Sequence, residues 1–283
     1  MNAVPAIFFM VLSAASFSFM AATVRWLLPE TPSQAIVFSR GVMVSAILVV
    51  IATRRRVSLL GRRRGLLLVR GLLGSAALSI YYWSAQTLPI GDAILIQYTH
   101  PLWVALLAPW LLREVTSGRT YRAAVLGLVG VAFVVRPEGQ LSPAAMIALG
   151  GAVLSALAYM TVRRLSETES RIAIMFWFPA VSVLFALPGT WSAGASALPR
   201  CGREVVGHLL VTGSALLGQW AITLGLSRAG AARATAATLT GPLFGMVLGW
   251  LLLSQVPSGT SLIGGALILT GLYVLARPVR SRS

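Results

Sequence analysis

Long apolar segments follow one another along this chain, separated only by short polar joints. A helix needs about 20 apolar residues to cross the hydrocarbon core of a bilayer. Runs such as Leu102 to Leu112 are apolar on every side, unlike the alternating ten-residue strands of a membrane β-barrel. The sequence therefore predicts an all-α membrane protein of ten transmembrane helices. The predicted spans are Val4 to Val24, Gln34 to Thr53, Leu66 to Leu88, Ile90 to Leu112, Tyr121 to Val135, Pro143 to Val162, Ile172 to Leu187, Val205 to Leu226, Ala231 to Leu253 and Ser261 to Ala276.

The charge of the chain is explained by membrane topology. Its net charge is +16, but all 23 basic residues are arginines, and most lie in the joints between the apolar segments. No soluble basic domain is present to bind nucleic acid, so no nucleic-acid partner is expected. With the N-terminus in the cytoplasm, 18 of the 23 arginines fall in cytoplasmic joints or near them, as the positive-inside rule requires. We expect a multi-pass protein of the bacterial inner membrane with both termini in the cytoplasm.

The chain contains an internal repeat. An offset of 141 residues aligns Ala93 to Pro137 with Ala234 to Pro278 without a gap, and 15 of these 45 positions are identical. We interpret residues 1–138 and 139–283 as two five-helix repeats. Because each repeat has an odd number of spans, the second is inverted relative to the first. Inverted repeats are typical of transporters that expose one site alternately to each side of the membrane.

Two prolines of the repeat point to the position of a site. Pro101 and Pro242 lie midway along the fourth and ninth predicted spans, at equivalent positions. Each proline removes one backbone hydrogen bond and frees the carbonyl four residues earlier, at Gln97 and Thr238. Paired helix breaks near the middle of the membrane indicate a transport site. A packing kink is the alternative for either proline alone.

The sequence also resembles a known family. The run Leu88-Pro89-Ile90-Gly91-Asp92-Ala93, the run His100-Pro101-Leu102-Trp103 and the closing Leu112-Arg113-Glu114 resemble the EamA repeat of the drug/metabolite transporter (DMT) superfamily. The second copy is degenerate, with Gln255 at the position of Glu114 and Arg233 at that of Asp92. Among characterised members, the chain is most similar to YddG-type exporters of aromatic amino acids. This resemblance implies a basket of ten helices around a central cavity lined by spans one, three, four, six, eight and nine.

Polar and aromatic residues within the spans are the candidate substrate-binding residues, because burying them against lipid would be costly. Hydrogen bonding between helices is the alternative role for each. No metal site and no cofactor are expected. The candidates are Tyr82, Gln86, Gln97, Tyr98, His100, Trp103, Gln219, Thr238 and Thr240, with Pro101 and Pro242 as helix breaks.

The charged residues restrict the mechanism. No Asp or Glu lies in the middle of a span, which disfavours tight carboxylate-based proton coupling. A cluster of basic residues for phosphate is also not expected within the spans. Arg40, near the outer end of the second span, has three possible roles: its side chain can extend to the interface, pair with a helix terminus or bind a substrate carboxylate.

The sequence thus predicts a secondary transporter that exports small organic solutes, with amino acids, aromatic or otherwise neutral, as the first candidates. Facilitated diffusion or exchange is the expected mechanism, and a proton-coupled exporter of drugs or other metabolites is the alternative. An intramembrane enzyme would need a nucleophile or metal constellation that the sequence does not supply. A receptor would usually carry a soluble signalling domain. The expected partners are the solute and the bilayer, and the expected state is a monomer or weak homodimer.

Overall fold

The computed structural model describes residues 4–88, 90–135, 142–197, 199–254, 256 and 258–276. Within these ranges, nine helices are long and apolar enough to cross a membrane, and α6, with 18 residues, completes the ten predicted spans. The predictions for Arg136, Pro137, Gln255, Arg277 and Pro278 lie outside the described residues, as do the side chains of Tyr82, Gln86 and Asp92. The helices are α1 Val4–Leu27, α2 Ser33–Arg55, α3 Arg64–Thr87, α4 Ile90–Gln97, α5 His100–Leu111, α6 Gly118–Val135, α7 Pro143–Leu165, α8 Arg171–Ala193, α9 Gly202–Arg228, α10 Ala231–Ala236, α11 Gly241–Leu253 and α12 Gly259–Ala276.

The ten-span helical architecture is confirmed. Every span begins and ends within three residues of its predicted bounds, except that α8 continues six residues beyond Leu187. The helix continues through Pro188 and Gly189, two residue types that usually interrupt a helix. Ser142 and Ser170 start α7 and α8 by accepting hydrogen bonds from the backbone N–H groups three residues later.

The two halves of the bundle pack antiparallel to each other, as the packing of α6 on α12 demonstrates. A Cβ atom on Gly130 would lie 2.7 Å from the carbonyl oxygen of Gly264, and one on Gly271 would lie 2.9 Å from that of Ala123. Both Gly130 with Gly271 and Ala123 with Gly264 are pairs related by the 141-residue offset. The two contacts are therefore copies of one contact, related by a pseudo-two-fold axis. The packing of α1 on α9 and of α3 on α7 is a second pair of equivalent interfaces.

Hydrogen bonds and ion pairs define the two ends of the bundle. At one end, Glu169 in the joint after α7 accepts hydrogen bonds from the backbone N–H groups of Arg62 and Arg63 in the joint before α3. We call this the arginine-rich end, because it also contains Arg54 to Arg56. At the opposite end, Arg200 lies 3.8 Å from Glu30. Each end therefore contains joints from both halves, as inverted repeats require.

Candidate solute-binding cavity

A cavity of about 740 Å³ lies between the two halves. It is lined by residues of all six spans that the resemblance implies, and also by Arg40 of α2, Phe178 of α8 and Ser261 of α12. Its deep residues, such as His100 and Thr238, are buried. It extends to Arg25 and Val256 at the end opposite the arginine-rich end, where Val256 is 82% exposed. The cavity is thus closed at the arginine-rich end and open at the other.

Both predicted helix breaks are present, and they form the floor of this cavity. The fourth span is divided into α4 and α5 immediately before Pro101, and the ninth is divided by a 3-10 turn, Ala237–Thr240, immediately before Pro242. Each proline occupies the first turn of the following helix, where the missing N–H group costs nothing. The sequence therefore places two helix interruptions at equivalent positions, facing one another across the pseudo-two-fold axis.

His100 connects the two breaks. Its Nδ1 lies 2.9 Å from the carbonyl oxygen of Gln97, the group that Pro101 leaves without its helical donor. Since a carbonyl only accepts, Nδ1 is the protonated nitrogen. Its Nε2 lies 3.3 Å from Oγ1 of Thr238 at the second break. The repeat position of His100 in the second half is Gly241, so one imidazole serves both halves.

Other polar groups near the floor are bound to neighbouring helices. Gln97 Nε2 donates to Ser155 Oγ of α7 at 3.0 Å, and Ser13 Oγ of α1 donates to the Gly218 carbonyl of α9 at 2.9 Å. Ser18 Oγ donates to the carbonyl of Gly241 at 2.8 Å. These bonds join α1, α4, α7, α9 and α11 around the floor of the cavity.

The structure brings most of the candidate residues together, although their role in binding stays a prediction. Trp103 does not line the cavity, and its indole nitrogen lies 3.3 Å from Thr99 Oγ1, to which it donates. Thr240 is buried behind the floor and donates to the Ala237 carbonyl, and Pro101 is buried as well. The side chains of Tyr82 and Gln86 are outside the described part of the chain. The candidates that line the cavity are Gln97, Tyr98, His100, Gln219, Thr238 and Pro242.

Two arginines lie near each other within the spans, where the sequence indicated no cluster of basic residues for phosphate. Arg40 and Arg70 both line the cavity and are only 5% and 3% exposed. The Cζ atoms of these arginines lie 5.6 Å and 4.7 Å from the centroid of the Phe178 ring. The sequence analysis counted Arg70 with the arginines of the joint before α3, because Arg70 is close to Arg62, Arg63 and Arg64 along the chain. Its position four residues inside the predicted span was the signal that it could be buried.

Glu114 lies at the arginine-rich end and contacts helices of the second half. Its Oε1 lies 2.7 Å from Nε of Arg163 at the end of α7. Its Oε2 accepts a hydrogen bond of 2.7 Å from the backbone N–H of Ala231, the first residue of α10. One carboxylate thus joins the ends of spans four, six and nine, which belong to different halves.

Comparison with known proteins identifies the family. The sequence model of the EamA-like transporter family matches residues 4–136 and again residues 142–277. The chain belongs to the EamA-like transporter family. It is therefore a multi-pass membrane transporter of small metabolites with the DMT fold. No group of three or more potential metal-ligating side chains is found among the described residues of this EamA protein.

Named relatives of this EamA chain transport different solutes. It is 30% identical to a pseudopaline exporter of Pseudomonas aeruginosa, over 94% of both chains. It is 26% identical to a riboflavin transporter of Vibrio cholerae, over 76% of this chain and 72% of the relative. A solved crystal structure superposes with a TM-score of 0.78 over 99% of both chains at 19% identity, which shows the fold alone.

Proposed function

We propose that this protein exports amino acids or closely related metabolites across the bacterial inner membrane by alternating access. The observation that carries the proposal is the cavity whose floor is built from two symmetric helix breaks. Its volume of about 740 Å³ falls in the range of about 300–1,000 Å³ that is usual for small-molecule sites. The walls combine apolar surface from Phe17 and Met246 with a few polar groups at the floor, which suits a solute with an apolar body and a polar end.

The proposed orientation rests on charge. Cytoplasmic joints of membrane proteins carry an excess of arginine and lysine, so we assign the arginine-rich end to the cytoplasm. Both termini are then cytoplasmic. The cavity faces outward in this conformation, and Glu114 closes the cytoplasmic side. Export requires a second conformation in which this closure opens and the outer mouth closes.

Export rather than uptake is supported by the relative that is named as an exporter and is 30% identical over nearly its whole length. Facilitated diffusion or exchange is supported by the chemistry of the cavity, because no Asp or Glu is found among the described residues that line it.

Exchange in proteoliposomes tests the proposal. Liposomes holding the purified protein and unlabelled tryptophan should accumulate labelled tryptophan by counterflow, whereas empty liposomes should not. Gly245 lines the cavity with open space around its Cα, so Gly245→Trp should fill the cavity without straining the fold and abolish counterflow. Gly150 also has open space around it but lies outside the cavity, so Gly150→Trp is the matched control and should retain most of the rate.

The same assay separates the competing possibilities. Failure of every amino acid to exchange, with riboflavin or another metabolite active instead, would defeat the substrate assignment and leave the transporter fold intact. Acceleration by an imposed pH gradient would favour the proton-coupled alternative. Equal counterflow rates for Gly245→Trp and Gly150→Trp would contradict the proposal that the solute passes through the cavity.

A further inference from the structure

We propose that Arg70, assisted by Arg40, binds a carboxylate of the solute at the floor of the cavity, so that the carboxylate is the group by which solutes are selected. This inference rests on the transport function proposed above and specifies its substrate class. It predicts that an acidic solute is accepted with or without an amino group, and that an amine without a carboxylate is rejected.

The position of Arg70 carries the first part of the inference. Arg70 lies six residues inside α3, about 9 Å from the end of the helix, at 3% exposure. A long basic side chain at this depth normally extends back to the nearer interface, where its charge stays hydrated. Here the guanidinium lies over Gly74, one turn further into the membrane. The side chain is thus directed away from the interface that it could reach, and toward the cavity.

The contacts of Arg70 do not neutralise this charge. Its Nε has no hydrogen-bond partner, and no ion pair joins it to a carboxylate among the described residues. The Phe178 ring contributes a cation–π contact, with 4.7 Å between Cζ and the ring centroid. Membrane-buried cations are usually paired or face a water-filled pathway, and they mark substrate pathways. A buried, unneutralised guanidinium on a cavity wall is therefore a site for an anion.

Arg40 adds a second positive charge beside the same ring. Its Cζ lies 5.6 Å from the Phe178 centroid, so the two Cζ atoms are at most about 10 Å apart, the sum of their distances to that centroid. Both arginines line the cavity, and none of the described lining residues is acidic. Two like charges repel each other, and an anion placed between them relieves that repulsion. A guanidinium also matches a carboxylate geometrically, since it can donate two parallel hydrogen bonds.

A series of three indole compounds tests this inference, because they share one ring system and differ in charge. At pH 7 indole-3-acetate is an anion, tryptophan is a zwitterion and tryptamine is a cation. Binding is measured by the shift in thermal unfolding of the detergent-purified protein, which requires no transport. We expect indole-3-acetate and tryptophan to stabilise the protein and tryptamine to have no effect.

Variants assign the effect to Arg70. Arg70→Gln should weaken binding of indole-3-acetate by about tenfold or more, and Arg70→Lys should restore part of the affinity, because a lysine keeps the charge but not the bidentate geometry. Arg64→Gln removes the same charge from the exposed first turn of α3 and should leave the affinity within twofold. The control separates a local site from the loss of one positive charge.

The outcomes distinguish this inference from the proposed function. Stabilisation by indole-3-acetate that depends on Arg70, together with no counterflow of any amino acid, supports the carboxylate site and defeats amino-acid export. If tryptamine inhibits tryptophan counterflow as strongly as indole-3-acetate does, export is supported and the carboxylate site is overturned. The same conclusion follows if Arg70→Gln leaves tryptophan counterflow unchanged. Absence of stabilisation by indole-3-acetate also overturns the inference, whatever the counterflow result.

Discussion

His100 of α5 and Thr238 of the 3-10 turn before α11 join the two broken spans, with 3.3 Å between Nε2 and Oγ1. The same Thr238 hydroxyl lies 2.7 Å from the carbonyl oxygen of Thr235. Because Nε2 of His100 is unprotonated, the single hydroxyl proton of Thr238 is shared between two acceptors, this nitrogen of one half and the Thr235 carbonyl of the broken segment of the other. Both residues line the cavity, and a movement of one half relative to the other would change this contact.

Thr238→Val should impair exchange, because it removes the hydroxyl while keeping the shape of the side chain. One hydrogen bond contributes about 1 kcal/mol, so the counterflow rate should fall roughly fivefold. Thr240→Val is the matched control, since Thr240 is equally buried but bonds only to its own turn, at the Ala237 carbonyl. The measurement is initial counterflow rate at equal protein content. Equal loss in both variants would show that the effect is general to this turn.

Glu114→Gln should favour opening of the arginine-rich end, which we propose to be cytoplasmic, because it weakens the ion pair with Arg163. A partly exposed pair contributes up to about 1 kcal/mol, so the inward-open population should rise about fivefold. The readout is thiol labelling of Leu226→Cys, a fully buried position in α9 near the arginine-rich end, in a Cys201→Ser background. Labelling from the cytoplasmic face should accelerate about fivefold.

Glu167→Gln is the control for this experiment. Glu167 lies 3.9 Å from the same arginine but is 62% exposed. Its loss should change the labelling rate by less than twofold. A rate increase as large as that of Glu114→Gln would indicate a general effect of negative charge rather than closure by one carboxylate.

Gly74→Ala should disturb the Arg70 side chain directly. A Cβ at this position would collide with the guanidinium and lie 2.8 Å from Cδ2 of Phe178. Overpacking of this kind costs about 1–3 kcal/mol, so we expect a lower Tm and a several-fold loss of affinity for indole-3-acetate. Gly65→Ala in the same helix has open space and should leave both quantities unchanged. Unaltered binding in Gly74→Ala would contradict the position of Arg70 on the cavity floor.

Gly130→Ala and Gly271→Ala should destabilise the protein to a similar extent, because the two contacts are related by pseudo-two-fold symmetry. Each Cβ would meet backbone atoms of the facing helix, at 2.7 Å and 2.9 Å, and backbone cannot move aside as a side chain can. The expected cost is about 1–3 kcal/mol each, measured as a decrease in Tm. Gly213→Ala, where space is open, should have little effect. Strongly unequal decreases in Tm for Gly130→Ala and Gly271→Ala would contradict the equivalence of the two contacts.

The sequence was sufficient for the spans and for the helix breaks, because hydropathy and proline act locally along the chain. It also indicated that Gln97 and Thr238 lie near the floor, since repeat symmetry fixes their depth. Rotation about a helix axis and side-chain direction depend on neighbouring helices, which one sequence does not specify. For this reason Trp103 and Thr240 were assigned to the cavity and lie outside its lining, whereas Arg70 and Phe178 were missed.

Accessibility of position 245 to both sides of the membrane tests the central claim most directly. Gly245 lines the cavity on α11 with open space for an added side chain, and Gly245→Cys can be made in a Cys201→Ser background. Alternating access predicts that a membrane-impermeant thiol reagent labels this residue in right-side-out vesicles and also in inside-out vesicles, with the outer rate faster in the absence of solute. Labelling from one side only, with and without solute, would contradict a cavity that opens alternately to the two sides.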